Sequence, residues 1–233
     1  MSKGTKLFIF TIILLIGGAF IFGQVTRKSF DLNNKIANFE EFQHFQAESF
    51  SYRPMNYFND DIQTVEELEK ASDLIVTVSE VRERELVKQA TKTTLVIDKV
   101  LKGEVNSGDE IILYEPAYFI KWMDDHQNGY FDSSGYQLIQ DGNKYILFLS
   151  HLQAPQGYKW SEEEKRSFLP TSQLYAKYPL TINTEVESQL MDEGQLLETW
   201  GQTRDYELLI NDKQILNHYI SLKNQILTKY LKK

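Results

Sequence analysis

The sequence predicts a mainly β fold with flanking helices, of the α+β class, behind one N-terminal membrane span. Three observations carry this reading. Four runs between residues 74 and 150 are rich in Val, Ile and Leu and sort their side chains with the period of two that a strand imposes. Turn signals punctuate those runs: Lys102-Gly103, Ser107-Gly108-Asp109 and Asp141-Gly142-Asn143. The C-terminal run from Asn211 to Leu231 instead repeats its apolar residues at helical spacing.

The first element is the stretch Leu7 to Gly23, 17 residues without a charge, with Lys3 and Lys6 before it and Arg27 and Lys28 after. A hydrocarbon core of ~30 Å needs about 17–25 such residues in a helix. An uncleaved anchor over residues 7–24 is therefore expected, with a basic head of residues 1–6. A cleaved signal peptide is the rival, since Gly17 and Ala19 offer small residues to a peptidase, but Phe20-Ile21-Phe22 continues the apolar run through that point. The flanking positive charges nearly balance, so orientation rests on the short head and the large acidic body, which together read as a single-pass signal-anchor with the body outside the cytoplasm.

Residues 25–63 read as a stem, in which Phe30, Ile36, Phe39, Phe42 and Phe45 follow a loose helical spacing; so many apolar rings predict packing on the body or on a partner. Thr64 opens a short helix: with Glu67 three residues on it forms a capping box, and Leu68 and Ala71 face inward. The strands follow: Leu74 to Val81, Thr93 to Leu101, Glu110 to Glu115 (ended by Pro116) and Lys144 to Ser150. In the last of these Tyr145, Leu147 and Leu149 point one way and Ile146 and Phe148 the other, the pattern of a strand covered on both faces. Residues 117–140 read as a long polar-aromatic loop, and loops of that length are commonly functional. Short strands are expected at Tyr158–Trp160 and Pro179–Asn183 in an otherwise irregular 151–183 segment. The stripe Ile215, Leu216, Tyr219, Ile220, Ile226, Leu227, Tyr230 and Leu231 predicts a helix docked on the protein's own core.

Composition bounds the function. Of 25 basic and 33 acidic residues, Lys3, Lys6, Arg27 and Lys28 fall in residues 1–28, which hold no acid; the body is left with 21 bases and 33 acids, a net of −12. Such a body repels phosphate backbones, and no nucleic-acid partner is expected. The absence of cysteine excludes disulfides, thiolate metal sites, a Cys nucleophile and a lipidated Cys.

The order of elements resembles a known type. Ala71 to Val81 (ASDLIVTVSEV), Leu95 to Gly103 (LVIDKVLKG), Gly108-Asp109-Glu110-Ile111 and Gly142 to Leu149 (GNKYILFL) are similar to bacterial extracytoplasmic netrin-like domains, which share a fold with tissue inhibitors of metalloproteinases. The resemblance covers residues 65–150 and implies a five-stranded antiparallel barrel of the oligonucleotide/oligosaccharide-binding type with flanking helices, placed at residues 64–183, with residues 184–233 as a C-terminal helical segment packed on it. It implies a fold rather than an activity. Those inhibitors insert a free N-terminal Cys into the protease's zinc site, and a chain without cysteine lacks that chemistry.

No constellation in the chain spells out catalysis. There is no Gly-x-Ser-x-Gly, no phosphate-cradling glycine loop and no His-Glu-x-x-His. His44, His126, His151 and His218 are too dispersed for a sequence-local metal motif. Asp124, Asn128 and Gly129 match positions one, five and six of a calcium loop, but His126 stands at position three and Gly135 where the bidentate Glu belongs. No metal and no cofactor are expected; a cation would have to use Asp124, Asn128 and Asp132. Six large aromatics, Tyr118, Phe119, Trp122, Tyr130, Phe131 and Tyr136, crowd the 117–140 segment and are the candidate ligand- or partner-binding residues, since such rings stack on sugars or anchor proteins when they do not pack as core. The expectation is a membrane-anchored extracytoplasmic binding or interaction module without catalysis, with a protein partner at the cell surface. The alternatives are an extracytoplasmic hydrolase using Asp124, Asp125 and His126, or an accessory subunit of a membrane complex.

Overall fold

The computed structural model describes residues 39–47, 56–121, 129–180 and 199–231. The expected anchor, the start of the stem, Trp122 and the Asp124–Asn128 stretch lie outside the described residues. Among the described residues no helix is long and apolar enough to cross a membrane.

A 3-10 turn at Phe39–Phe42 leads into β1 (Gln46–Ala47). The short helix expected at Thr64 is α1, Val65–Ala71. Its capping box is formed: Thr64 Oγ1 accepts from the Glu67 N–H (3.2 Å) and the Glu67 carboxylate accepts from the Thr64 N–H (3.3 Å), satisfying donors that a helix start leaves open. Two long strands follow, β2 (Leu74–Val87) and β3 (Ala90–Lys102), paired antiparallel through a two-residue turn at Lys88-Gln89. They run past their expected ends because Glu83 to Val87 and Ala90 to Thr94 still form ladder pairs, although polar residues mask the strand signal there. Next come β4 (Glu110–Glu115), β5 (Tyr118–Lys121), β6 (Gly129–Asp132) and β7 (Tyr145–His151), then α2 (Glu162–Lys165), β8 (Ser167–Pro170), β9 (Lys177–Pro179), α3 (Trp200–Thr203) and α4 (Lys213–Leu231).

The fold is mainly β with few helices. Strand pairings run β2–β3, β3–β4, β4–β8, β8–β7 and β7–β2, so that five strands close on themselves; β9 pairs with β7 in line with β8. One pairing departs from the expected all-antiparallel pattern: β4 and β8 are parallel, with Ile112 opposite Ser167 and Leu113 opposite Phe168. The long connection between them lets the chain return in the same direction, which a tight turn cannot do. Period-two alternation then fills the two sides of the ring. Leu74, Val76, Val78, Leu95, Ile97, Ile111, Leu113, Tyr145, Leu147 and Leu149 form one core cluster, while Ile75, Ile146 and Phe148 belong to a second cluster with α1 and α4. Leu216, Tyr219, Leu222 and Ile226 of α4 are fully buried in that second cluster, each contributing about 1.5–3 kcal/mol by its burial. Asp212 starts α4, its carboxylate accepting from the N–H groups of Gln214 (2.7 Å) and Ile215 (3.2 Å).

The 117–140 segment is not the loop expected of it. β5 and β6 pair antiparallel, β1 joins β6 in parallel, and together they form a separate three-stranded sheet. Four-residue strands are too short to show a period in sequence, and the alternation of Phe119 and Phe131 onto one face emerges only in the pairing, where the two stand opposite each other. A third core cluster forms on that face from Phe42, Phe45, Phe119, Phe131, Tyr136 and Trp200. Phe42 and Phe119 stack at 4.4 Å between centroids, and Trp200 meets Phe119 edge-on at 5.2 Å. Gly129 is required there: a Cβ on it would lie 2.0 Å from the Ile120 carbonyl oxygen and 2.6 Å from the Phe45 ring. The strand expected at Tyr158–Trp160 does not form. Of the strand expected at Pro179–Asn183, residues 181–183 lie outside the described residues, and the strand observed, β9, runs from Lys177 and ends at Pro179; β8 was not anticipated, because Pro170 inside it reads as a breaker.

Candidate functional site

A cleft of about 500 Å³ opens at one end of the five-strand ring. Its walls are built from several elements: Lys88 and Gln89 at the β2–β3 tip, Tyr114 and Pro116 at the end of β4, Tyr118 of β5, Asp132 at the end of β6 with Ser134 beyond it, and Tyr57 with Phe58 from the segment leading to α1. That segment is fastened just beyond the cleft. The Asn59 N–H donates to the Thr171 carbonyl (2.9 Å), and the Asp60 carboxylate accepts from Ser172 Oγ (2.6 Å) and the Gln173 N–H (2.7 Å). Tyr57 is 82% exposed, the largest apolar exposure among the described residues. A second groove of about 580 Å³ continues past Tyr57 and Phe58 toward Ser150, His151 and Thr171, so the two rings stand on a wall common to both.

Two rim positions hold left-handed backbone on residues with a side chain. Lys88 has φ 54° in the two-residue β2–β3 turn, and Ser134 has φ 43° beside Gly135 at 93°. Consecutive positive φ values at Ser134-Gly135, closed by the Tyr136 N–H donating to the Ser133 carbonyl (2.9 Å), make a turn of the primed hairpin type. Gln173 pins it by donating Nε2 to the carbonyls of Ser133 (3.3 Å) and Ser134 (2.8 Å). Such conformations cost free energy and gather where the surroundings over-determine them, often at binding sites.

Of the residues expected to bind, Tyr118 lies in the cleft wall and donates its hydroxyl to Asp132 (3.1 Å). Tyr130 is half-buried on β6. Phe119, Phe131 and Tyr136 are corrected to core: they are 6%, 0% and 1% exposed, and close packing of the third cluster leaves their faces no room for a ligand. Trp122 falls outside the described residues, as do Asp124 and Asn128; Asp132 lines the cleft and accepts from Tyr118. Among the described residues no group of three His, Asp or Glu side chains is placed to hold a metal. His218 directs Nε2 to the Ile62 carbonyl (2.8 Å), and His151 faces the carbonyls of Leu152 (3.1 Å) and Lys165 (2.9 Å). Tyr57, Phe58 and Tyr114 were missed. Tyr114 was legible in part, standing out of step with its apolar neighbours in EIILYE, while Tyr57-Phe58 sat in a turn-rich stem with no signal that it folds back over the sheet.

Behind the cleft the interior is polar. Glu115, fully buried at the end of β4, accepts from Thr93 Oγ1 (2.6 Å), Tyr136 Oη (3.0 Å) and the Ile139 N–H (2.9 Å), and the Arg84 guanidinium stands at 4.0 Å. Burial, followed by the Glu115 charge and hydrogen bond, raises the Tyr136 phenol well above its ordinary value, so Tyr136 stays a proton donor. Further along, Glu207 accepts from Lys223 Nζ (2.5 Å) and Tyr219 Oη (2.8 Å). These groups satisfy one another inside the protein and none of them lines the aromatic cleft. No family model matches the chain, and no curated protein matches it.

Proposed function

We infer that the protein is a membrane-anchored extracytoplasmic binding module, its closed ring an oligonucleotide/oligosaccharide-binding type barrel of the netrin-like kind and its aromatic cleft the surface that takes a protein partner. The observation that carries the reading is the cleft itself: Tyr57, Phe58, Tyr114 and Tyr118 converge on one opening at the rim of the ring. Tyrosine is over-represented among residues that dominate protein interfaces, because its ring supplies large contact area at low entropic cost and its hydroxyl remains a hydrogen-bonding handle. Small barrels present their ligands to such rims. No catalysis is proposed: the carboxylate at the cleft, Asp132, is engaged by Tyr118, and the buried acids are spent on internal donors. The uncharged Leu7 to Gly23 run supports the anchor, and the acidic body supports a partner other than nucleic acid.

A photo-crosslinking residue placed at Tyr57 in intact cells tests this reading. A discrete protein adduct is expected there, lost when Tyr118→Ala is added, and none is expected from the same probe at exposed Gln225 on α4. Equal labelling at both positions, or none at Tyr57 in correctly folded protein, refutes the cleft. Protease added to intact protoplasts should digest the body; a protected body refutes the orientation.

A further inference from the structure

Among the described residues two lysines are buried, and their surroundings differ. Lys223 has its carboxylate, Glu207, and is a structural ion pair. Lys177, 6% exposed on β9, forms no ion pair among the described residues. Its Nζ donates to the Gln137 carbonyl and lies over the rings of Tyr136 (4.6 Å) and Tyr145 (5.6 Å). An ammonium carries three donors, and cation–π contact does not replace hydrogen bonds. A lysine held this way is costly: taking an ammonium out of water without a carboxylate in contact loses several kcal/mol, which the more distant charges of Glu115 and Glu207 offset only in part, and an apolar side chain of the same length would serve packing better.

Lys177 is not sealed. It forms part of the wall of a polar pocket of about 100 Å³, larger than the space one water needs. The other walls bring further donors. Tyr145 Oη accepts from the Gln140 N–H (3.1 Å) and is also hydrogen-bonded by the Asn143 side chain, which leaves its own proton to be given elsewhere; Arg204 reaches the rim with five N–H groups, one of them toward Glu40 at 3.5 Å. The acids on the wall do not cancel Lys177. Glu207 is matched by Lys223 and Tyr219, and Asp205 is exposed at the rim. Lys177 is therefore a buried cation with no carboxylate in direct contact among the described residues, and Glu115 and Glu207 act on it only through space.

We propose that this pocket binds a small monoanionic carboxylate, of the size of acetate or propionate, whose oxygens accept from Lys177 Nζ and Tyr145 Oη with Arg204 at the mouth. The carboxylate supplies the direct, hydrogen-bonded counter-charge that Glu115 and Glu207 do not reach in to give Lys177, in the low-dielectric setting where a charge-assisted hydrogen bond is strongest. Size restricts the ligand to a few heavy atoms, and the rim carboxylate of Asp205 selects against dianions. The burial that pushes the Lys177 ammonium down to about 8 in the empty pocket would be offset by the bound anion, so binding and proton retention are linked. Glu115 and Glu207 favour the charged lysine and Arg84 opposes it, and all three are present in both states. This site shares no wall residue with the aromatic cleft and does not depend on how the cleft is used.

The test is thermal unfolding of the full-length protein at pH 7 in sodium acetate, sodium propionate, sodium succinate or sodium chloride at equal ionic strength. Acetate and propionate are expected to raise the midpoint saturably by 2 °C or more (~0.5 kcal/mol for a domain of this size) over chloride and succinate, and Lys177→Met is expected to abolish the rise. A rise that does not saturate, or that persists in Lys177→Met, is a general salt effect and overturns the proposal. Should Lys177→Met fail to fold, the wild-type protein labelled with 13C at lysine Cε decides. One lysine resonance, absent from Lys177→Arg, must shift saturably with acetate and not with chloride; stationary resonances overturn the proposal.

Discussion

Replacing Glu115 by alanine removes the acceptor on which one end of the interior depends. Three donors, Thr93 Oγ1, Tyr136 Oη and the Ile139 N–H, and one guanidinium, Arg84, whose side chain is 9% exposed, would face a void. Breaking a buried ion pair by removing one partner costs about 3–5 kcal/mol, and each orphaned donor about 1–3 kcal/mol. These overlap, since relaxation and entering water recover part of each, so a loss of about 5 kcal/mol is expected. Glu115→Gln separates charge from hydrogen bonding. Its Oε1 still accepts from Tyr136 and Ile139, and its amide donates to Thr93 Oγ1, which turns from donor to acceptor; the missing term is the charge opposite Arg84, about 1–3 kcal/mol. Urea denaturation of the full-length protein, followed by tryptophan fluorescence and circular dichroism, gives both numbers if the m-value is unchanged. A loss below about 1 kcal/mol for Glu115→Ala, the range of a surface substitution, would refute the reasoning, because it would mean that water already serves these donors.

Three further outcomes follow from the same interior. Stability should climb by about 2 kcal/mol between pH 8 and pH 10, because the folded Lys177, pushed down to about 8 chiefly by burial, has released its proton while the unfolded lysine keeps it to about 10.4. Above pH 10 the trend reverses as unfolded tyrosines ionise and buried Tyr136, Tyr178 and Tyr219, all raised by desolvation, cannot; denaturation midpoints across pH 7–11 read both limbs, and Lys177→Met should erase the first. Leu216→Asp on α4 should cost more than about 4 kcal/mol by melting temperature, from a lost leucine and a buried charge, whereas Ser221→Asp on the exposed face should stay within about 0.5 kcal/mol. A neutral Leu216→Asp would mean that α4 is not held by this face.

Much of the ring was legible because its strands carry the signals that physics makes local. The β7 pattern of Tyr145, Leu147 and Leu149 against Ile146 and Phe148 announced two covered faces, and both are covered: one inside the ring, the other under α1 and α4. The capping box at Thr64 and the apolar stripe of α4 are likewise readable within a few residues of themselves. The second sheet was not. β1, β5 and β6 have two or four residues each, and what makes them strands is pairing across intervals of sequence that no window spans.

The aromatic residues show where such reading ends. Composition said that the rings of the 117–140 segment must either pack or bind; those described differ in burial, along a line set by residues outside the segment. Phe119, Phe131 and Tyr136 are core because Phe42, Phe45 and Trp200, from distant parts of the chain, arrive to cover them. Tyr118, next to Phe119 but on the opposite face of β5, is left at an opening, where Tyr57 and Tyr114 join it from two other elements. The faces of β5 were set by its pairing with β6, and the identity of the covering partner decided which face became interior. The same holds for Lys177: nothing in Ala176-Lys177-Tyr178 marks a buried ammonium, since its burial depends on Tyr136 and Tyr145 closing over it and its want of a direct ion pair on Glu207 being paired with Lys223. A polar side chain becomes a candidate for binding when its tertiary neighbours cover it and leave it partly unanswered, and that is a property of contacts rather than of spacing.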